Sequence, residues 1–210
     1  MENLMLRGIV VGPVQTNCYF LKNRETEELV LVDPGAEAER IIYAVEKLQG
    51  KPAAIFLTHG HYDHICAANE LREHYKIPVY AAKAEERLLS DTYSNLSADW
   101  SGVPYTVKAD VYLSDKEVFT VSGFEVKMLL TPGHTPGSCC YWIEKEKVCL
   151  SGDTLFYGSC GRTDLPGGSM SQMRESLQSL LHILPEDTEI YPGHGEATDA
   201  AFEKRNNPYL

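Results

Sequence analysis

Short apolar runs, separated by residues that favour turns, dominate the hydrophobic pattern of the chain. Many contain β-branched or aromatic residues and are bounded by Gly, Pro, Asn or Asp, which is typical of strands. The predicted strands cover residues 7–11, 17–22, 29–32, 53–57, 77–80, 118–121, 125–130, 139–143, 148–150 and 188–191. They form one meander near the N-terminus and a second one later. This grouping predicts two sheets that meet along an edge.

Helical spacing of apolar residues recurs between these runs. In residues 37–49, Ile41, Val45 and Leu48 follow one another at intervals of four and three, and Gly50-Lys51-Pro52 ends the pattern. The other predicted helices cover residues 65–75, 82–89, 170–182 and 197–205. Residues 90–110 show no period, so they are interpreted as a long loop that borders a site. The 210 residues, 43% of them apolar, predict one globular domain over residues 1–210.

A cluster of polar residues follows the predicted strand 53–57. His59, His61, Asp63 and His64 place three imidazoles and one carboxylate within six positions. Such a set offers neutral nitrogens and an anionic oxygen to one point, which suits a divalent cation of borderline softness. The alternative is a polar loop that is rich in histidine, but the H-x-H-x-D-H spacing favours the metal site.

Three further side chains stand in turns that end apolar runs. His134 and His194 each follow Pro-Gly, which forces the chain out of regular structure and places the imidazole on a loop at the end of a strand. Asp153 follows the strand 148–150 through Ser151-Gly152. A lone carboxylate in a turn is usually a cap, so the interpretation of Asp153 as a ligand depends on the other candidates.

These motifs together resemble one known family. The series H-x-H-x-D-H at 59–64, TPGHTPGS at 131–138, SGDTLF at 151–156 and PGHG at 192–195 resembles the metallo-β-lactamase superfamily, and within it the glyoxalase II-like hydrolases. The resemblance implies an α/β (α+β) fold: a four-layer αβ/βα sandwich of two mixed sheets with outer helices. It also implies a binuclear centre with two divalent metal ions, zinc being the first expectation and iron or manganese the alternatives.

The resemblance implies a role for each of the seven side chains. His59, His61 and His134 would hold one ion, and Asp63, His64 and His194 the other, with Asp153 bridging both. Asp63 and Asp153 are also the candidate catalytic residues. Two ions, two carboxylates and one hydroxide leave the centre about one unit positive, which would attract an anionic substrate. A water shared by two such ions loses a proton near neutral pH and attacks a carbonyl carbon.

The expected substrate is a small-molecule thioester such as S-lactoylglutathione. A thiol has a pKa of about 8.5, so a thiolate leaves without a general acid, and none is evident outside the ligand set. Tyr62 and Arg162 are the candidate substrate contacts. The resemblance implies Lys and Tyr at positions 162 and 164 in full-length glyoxalase II enzymes, whereas the short single-domain hydrolases that this chain resembles most share its Gly161-Arg162-Thr163-Asp164. Arg162 is therefore either a clamp for a substrate carboxylate or half of a structural ion pair with Asp164.

Other activities share parts of this ligand set. Persulfide dioxygenases hold one iron with the equivalents of His59, His134 and Asp153, and lactone hydrolases use the same scaffold. β-Lactamases of this superfamily usually have a cysteine where Asp153 stands, which disfavours antibiotic hydrolysis. A binding module without catalytic activity is disfavoured because all seven ligand positions are filled.

Composition and charge narrow the expected partners. A net charge of −11 disfavours nucleic-acid binding, and no apolar stretch reaches the roughly 20 residues of a membrane span. The N-terminus lacks the basic start and the apolar run of an export signal, and the six cysteines are scattered. A cytoplasmic protein with reduced thiols is therefore expected. The oligomeric state stays open.

Overall fold

The structure is a computed structural model that describes residues 3–210. Residues 1 and 2, which belong to the predicted domain, lie outside the described residues. One mixed sheet contains six strands in chain order, with the first three antiparallel and the later neighbours parallel. Its strands are β1 (Leu4–Val11), β2 (Thr16–Asn23), β3 (Glu28–Val32), β4 (Lys51–Phe56), β5 (Val79–Ala82) and β6 (Val111–Leu113).

A second mixed sheet has the order β14-β13-β10-β9-β8-β7. Its strands are β7 (Val118–Val121), β8 (Phe124–Leu130), β9 (Cys139–Ile143), β10 (Val148–Gly152), β13 (Glu189–Pro192) and β14 (Thr198–Asp199). Strands β10 and β13 are parallel, and the other pairs are antiparallel. A separate two-stranded ribbon follows β10 and consists of β11 (Leu155–Phe156) and β12 (Ser159–Cys160).

Helices cover the outer faces of both sheets. They are α1 (Ala38–Leu48), α2 (Tyr62–Ile65), α3 (Ala68–Tyr75), α4 (Glu86–Leu89), α5 (Met170–Ile183) and α6 (Ala200–Asn206). Ile41 of α1 and Leu71 of α3 pack on the first sheet, and Leu177 of α5 packs on the second. The described residues include no helix with the length and apolar character that a membrane span requires.

In addition to the two apolar clusters beneath the outer helices, a third buried cluster lies between the two sheets. Phe56 of β4 stacks on Tyr141 of β9 with ring centroids 4.6 Å apart, and Val30 and Leu150 belong to the same buried cluster. The architecture is therefore helices, sheet, sheet, helices, which confirms the four-layer sandwich. The prediction that the two sheets meet along an edge was incomplete, because the sheets also pack face to face around this buried cluster.

Most predicted strands are confirmed with bounds that agree within three residues. The predicted helix 65–75 was wrong in its first turn, where α2 ends and the Ala67 N–H donates to the carbonyl of Pro34 (2.9 Å). The predicted helix 197–205 begins only at Ala200, because residues 198–199 pair with β13. The short strands β6, β11, β12 and β14 were missed, since two or three residues show no periodicity.

Glu203 of α6 joins the ribbon to the rest of the fold. Its side chain is buried and accepts hydrogen bonds from the Gly158 N–H (3.0 Å), the Thr198 hydroxyl (2.7 Å) and the Asn207 side-chain amide (2.7 Å). Glu203→Ala leaves three donors without this acceptor. We expect it to lower the free energy of unfolding by about 2 to 4 kcal/mol.

Urea unfolding of Glu203→Ala and of the matched control Glu175→Ala, a glutamate exposed on α5, would measure the effect. The control should stay within about 0.5 kcal/mol of the parent protein. Equal midpoints for all three proteins would contradict the bridging role of Glu203.

Candidate metal centre

Four strands end at one margin of the sandwich and carry all seven predicted ligands. His59, His61, Asp63 and His64 follow β4, and the remaining three side chains follow strands of the second sheet. They are His134 after β8, Asp153 after β10 and His194 after β13. A hydrogen bond from the Cys139 N–H to the carbonyl of Thr58 (2.9 Å) joins the two sheets at this margin. The predicted placement at strand ends is confirmed.

The first group of side chains consists of His59, His61 and His134. All three are buried, and one ring nitrogen of each lies within 4.8 Å of the others. The closest approach, 2.8 Å, is between His61 Nδ1 and His134 Nε2. Three buried nitrogens around one point match the first ion site expected from the sequence.

The second group consists of Asp63, His64 and His194. The Nε2 atom of His194 lies 3.3 Å from both His64 Nε2 and Asp63 Oδ2. Asp153 lies between the two groups, with Oδ2 3.4 Å from His134 Nε2 and Oδ1 3.4 Å from His64 Nε2. The structure therefore brings together all seven side chains, in the two groups and with the intermediate aspartate that the resemblance implied.

The donor atoms fit a divalent cation. His59 Nε2 and Asp153 Oδ1 are buried and have no hydrogen-bond partner, which is costly for polar atoms. Both residues belong, with His64, to one group whose ligand atoms lie within 4.8 Å of one another. A set of imidazole nitrogens and carboxylate oxygens suits zinc, iron and manganese. The chain thus carries a His/Asp cluster suited to divalent metal binding.

The charge states of the two groups differ. Burial and neighbouring imidazoles lower the pKa of His59, and burial lowers the pKa of His61 to about 3. Burial alone would lower the pKa of His64, but the carboxylates of Asp63, Asp153 and Asp33 outweigh it and raise this pKa to about 10. His59 and His61 of the first group are therefore neutral imidazoles, whereas the second group concentrates charges of both signs around His64.

Asp33 holds His64 and was not identified from the sequence. Its buried carboxylate accepts hydrogen bonds from His64 Nδ1 (2.9 Å), the Thr58 N–H (2.8 Å) and the Thr58 hydroxyl (2.6 Å). Its backbone is left-handed, with a φ of 49°, which is uncommon outside glycine. The sequence feature that could have identified Asp33 is its position. Like His134 and His194, it lies next to a Pro-Gly pair at the end of an apolar run, although it precedes the pair and they follow it.

Backbone carbonyls fix two further imidazoles. The carbonyl of Arg162 accepts from His134 Nδ1 (2.7 Å), and that of Gln15 accepts from His194 Nδ1 (3.3 Å). Because a carbonyl can only accept, the proton of each neutral ring lies on Nδ1. The Nε2 lone pair of each ring is then free to face the centre, as in known histidine metal sites.

Two glycines let the chain pass close to the ligands. A Cβ atom on Gly193 would lie 2.3 Å from Asp153 Oδ1 and 2.6 Å from His64 Cε1. A Cβ atom on Gly161 would lie 1.9 Å from the carbonyl oxygen of Asp153. Any side chain at these positions would displace a candidate ligand, which explains the glycine of the PGHG motif and of Gly161-Arg162.

A cleft of about 510 Å³ opens above the cluster. Tyr62 and Arg162, the two predicted substrate contacts, both line it. Arg162 forms a bidentate ion pair with Asp164, with N–O distances of 2.7 and 2.8 Å. Arg162 therefore lines the cleft and is also paired with Asp164. Leu96 and Trp100 from the predicted long loop also line the cleft, which confirms that this segment borders the site.

The two remaining histidines lie away from the cluster. His74 is exposed on α3 and His182 is exposed on α5. Cys160 lines the cleft, and burial raises the pKa of its thiol, which makes the thiol less reactive. The six cysteines are all free thiols.

Comparison with known proteins gives one consistent family. A family model described as the metallo-beta-lactamase superfamily matches residues 11–194. The hydroxyacylglutathione hydrolase GloC of Haemophilus influenzae is 35% identical over 208 residues, which cover 96% of this chain and 96% of the relative.

Two solved structures are also similar over nearly their whole length. The BLEG-1 B3 metallo-beta-lactamase has a TM-score of 0.92 and 41% identity, covering 98% of this chain and 99% of that chain. TTHA1623 in a di-iron-bound form has a TM-score of 0.84 and 34% identity, covering 97% of this chain and 100% of that chain.

Proposed function

Because the chain belongs to the metallo-beta-lactamase superfamily and is a metallo-hydrolase, we propose that it hydrolyses a small-molecule thioester, S-lactoylglutathione or a close relative. The likeness to the hydroxyacylglutathione hydrolase GloC supports this substrate class. The observation that carries the proposal is the position of Asp153, within 3.4 Å of a ring nitrogen from each group. A carboxylate between two groups of three ligands is suited to bridging two ions.

The proposed ligand roles follow the two groups. His59, His61 and His134 would hold one ion, and Asp63, His64 and His194 the other, with Asp153 shared. Zinc is the first choice, and iron or manganese would fit the same donors. When bound, such ions supply an activated water and polarise a carbonyl oxygen. The likeness to a di-iron-bound structure supports a site for two ions.

Neighbouring residues would orient the ligand side chains and set the positions of their ring protons. The carbonyl of Arg162 keeps the proton of His134 on Nδ1, and Asp33 does the same for His64. The Thr16 hydroxyl donates to Asp63 Oδ2 (3.0 Å) and fixes this carboxylate beside His194. Asp63 and Asp153 are the proposed catalytic carboxylates, with Asp63 placed to carry a proton during turnover.

The cleft favours a leaving group that departs without a proton. Apart from the seven cluster residues, the titratable side chains that line it are Tyr62, Cys160 and Arg162. Burial raises the pKa of Tyr62 and of Cys160, and Asp164 raises that of Arg162, so none is poised as an acid at neutral pH. A thiolate needs no such acid, whereas an amine does.

A second candidate function is β-lactam hydrolysis, which the similarity to BLEG-1 favours. It differs from thioester hydrolysis in its leaving group, a ring amine. Persulfide oxidation with one iron and lactone hydrolysis share parts of the ligand set. We propose the thioesterase because the cleft offers no proton donor outside the seven ligand candidates, and an amine leaving group needs a proton donor.

The proposed setting is a small-molecule enzyme of the cytoplasm, without nucleic-acid or membrane partners. The net charge of −11 supports the first exclusion, since a phosphate backbone would be repelled.

Metal analysis with a substrate panel tests the function directly. We expect nearly two metal ions per chain and hydrolysis of S-lactoylglutathione that is lost on chelation and restored by zinc, iron or manganese. The panel also includes a lactone, a β-lactam and glutathione persulfide with an oxygen electrode. One iron per chain together with oxygen consumption would replace the thioesterase by the dioxygenase, and faster turnover of the β-lactam would favour the second candidate.

A further inference from the structure

The cleft has apolar walls on two sides of the cluster. Beside His194 lie Val14, from the β1–β2 turn, and Phe156 of the ribbon, whose ring centroid is 6.2 Å from that of His194. Trp100 lies beside Arg162, and Leu96 lines the same cleft. The side chain of Trp100 is 54% exposed although it is large and apolar, so it presents free surface to the cleft. Apolar surface of this kind is typical of ligand-binding sites.

The positive charge at the rim is already paired. Among the described residues that line the cleft, Arg162 is the sole arginine or lysine. Its Nε and Nη2 atoms donate to the two oxygens of Asp164, which form a neutral pair with it. A carrier with two carboxylates, such as glutathione, therefore meets no unpaired cation on the cleft walls.

Arg162 also positions the aromatic wall. Its guanidinium carbon lies 5.9 Å from the centroid of the Trp100 ring, a distance at which a cation and an aromatic face attract. The carbonyl of the same residue accepts from His134 Nδ1. One residue thus connects the wall to a proposed ligand, and the wall stands next to the reacting centre.

We propose that this site selects thioesters by the apolar bulk of the acyl group, packed against Trp100 and Leu96, and not by the charges of the thiol carrier. The inference rests on the proposed thioesterase activity. Each methylene group that leaves water completely is worth about fourfold in affinity. An acyl chain longer than lactoyl should therefore be the better substrate.

The kinetic test uses the metal-loaded enzyme with S-acetyl-, S-butyryl- and S-hexanoylglutathione. We expect kcat/KM to rise at least about tenfold from acetyl to hexanoyl, since the added methylenes are partly buried. Trp100→Ala should remove most of this rise, and Trp100→Phe should restore it. The control is Tyr93→Ala, because Tyr93 is 70% exposed on the same segment but does not line the cleft. A parent enzyme whose kcat/KM does not depend on acyl length would overturn the inference.

The carrier is tested with one acyl group on two thiols. Hexanoyl esters of glutathione, which is anionic, and of N-acetylcysteamine, which is neutral, should differ in kcat/KM by less than about fivefold, the effect of one exposed ion pair. A kcat/KM that is a hundredfold higher for the glutathione ester would show that the enzyme recognises the charges of the carrier, and it would overturn the inference.

A binding measurement separates this inference from the proposed function. S-Methyl- and S-hexylglutathione are thioethers that cannot be hydrolysed, and the exposed Trp100 reports on them by fluorescence, since Trp142 is 5% exposed. We expect the hexyl compound to bind at least about tenfold more tightly. Tighter binding without turnover of any thioester would refute the thioesterase but support the apolar wall. Turnover of thioesters with equal binding of both thioethers would support the thioesterase but refute the apolar wall.

Discussion

Asp153→Ala is expected to lower kcat/KM for S-lactoylglutathione by about a thousandfold or more, because several kcal/mol of stabilisation would be lost. Asp153 is the side chain that approaches both groups, at 3.4 Å from His64 Nε2 and from His134 Nε2. Its removal takes one of the two carboxylates from the centre that we propose to hold two cations. The variant should also bind fewer than two metal ions per chain, which elemental analysis would measure.

The matched control for this prediction is His74→Ala. His74 is exposed on α3 and has no place in the cluster, so its removal should leave hydrolysis and metal content unchanged. His134→Ala should behave like Asp153→Ala, because His134 is the buried partner of His61 at 2.8 Å. Equal activity of all three variants would show that the cluster is not the site of hydrolysis.

The candidate ligands could be predicted from the sequence because each one is marked locally. His134 and His194 follow Pro-Gly at the end of an apolar run, and such a run indicates a strand. Parallel strands end at the same margin, so strand ends within one sheet come together. The pairing of Gly152 with Pro192 in the parallel strands β10 and β13 is what brings Asp153 next to His194.

The surroundings of the ligands could not be predicted in this way because they depend on contacts between distant segments. Asp33 reaches His64 across 31 residues, and the carbonyl of Arg162 reaches His134 across 28. Neither contact leaves a periodic signal. The same holds for Trp100, whose role depends on how a segment without regular period folds over the cleft.

The face-to-face packing of the sheets also needed the structure. The apolar runs of β4 and β9 are buried on both faces, so their sequences do not distinguish an inner face from an outer one. Stacking of Phe56 on Tyr141 identifies the inner face. Strand content was therefore predictable, whereas the way in which the two sheets bury one another was not.

Asp33→Asn is expected to weaken metal binding at the second group by about 10- to 100-fold although it preserves the size of the side chain. The carboxylate accepts from His64 Nδ1 at 2.9 Å and thereby keeps the proton of the neutral ring on that nitrogen. An amide can present its NH2 group to Nδ1 instead. The ring proton would then move to Nε2, the atom that faces Asp153 and His194 and must be free to bind a cation.

Competition with a chromogenic chelator would measure this loss for each ion separately. The first group, which does not contact Asp33, should keep its affinity, so the two binding steps should move apart. Asp110→Ala is the matched control. Asp110 also accepts a backbone N–H, from Val79 at 2.9 Å, but directly precedes β6 and lies outside the cluster. Unchanged titrations for Asp33→Asn would show that its hydrogen bond does not set the ring proton of His64, and a parallel loss in Asp110→Ala would indicate a general effect on folding.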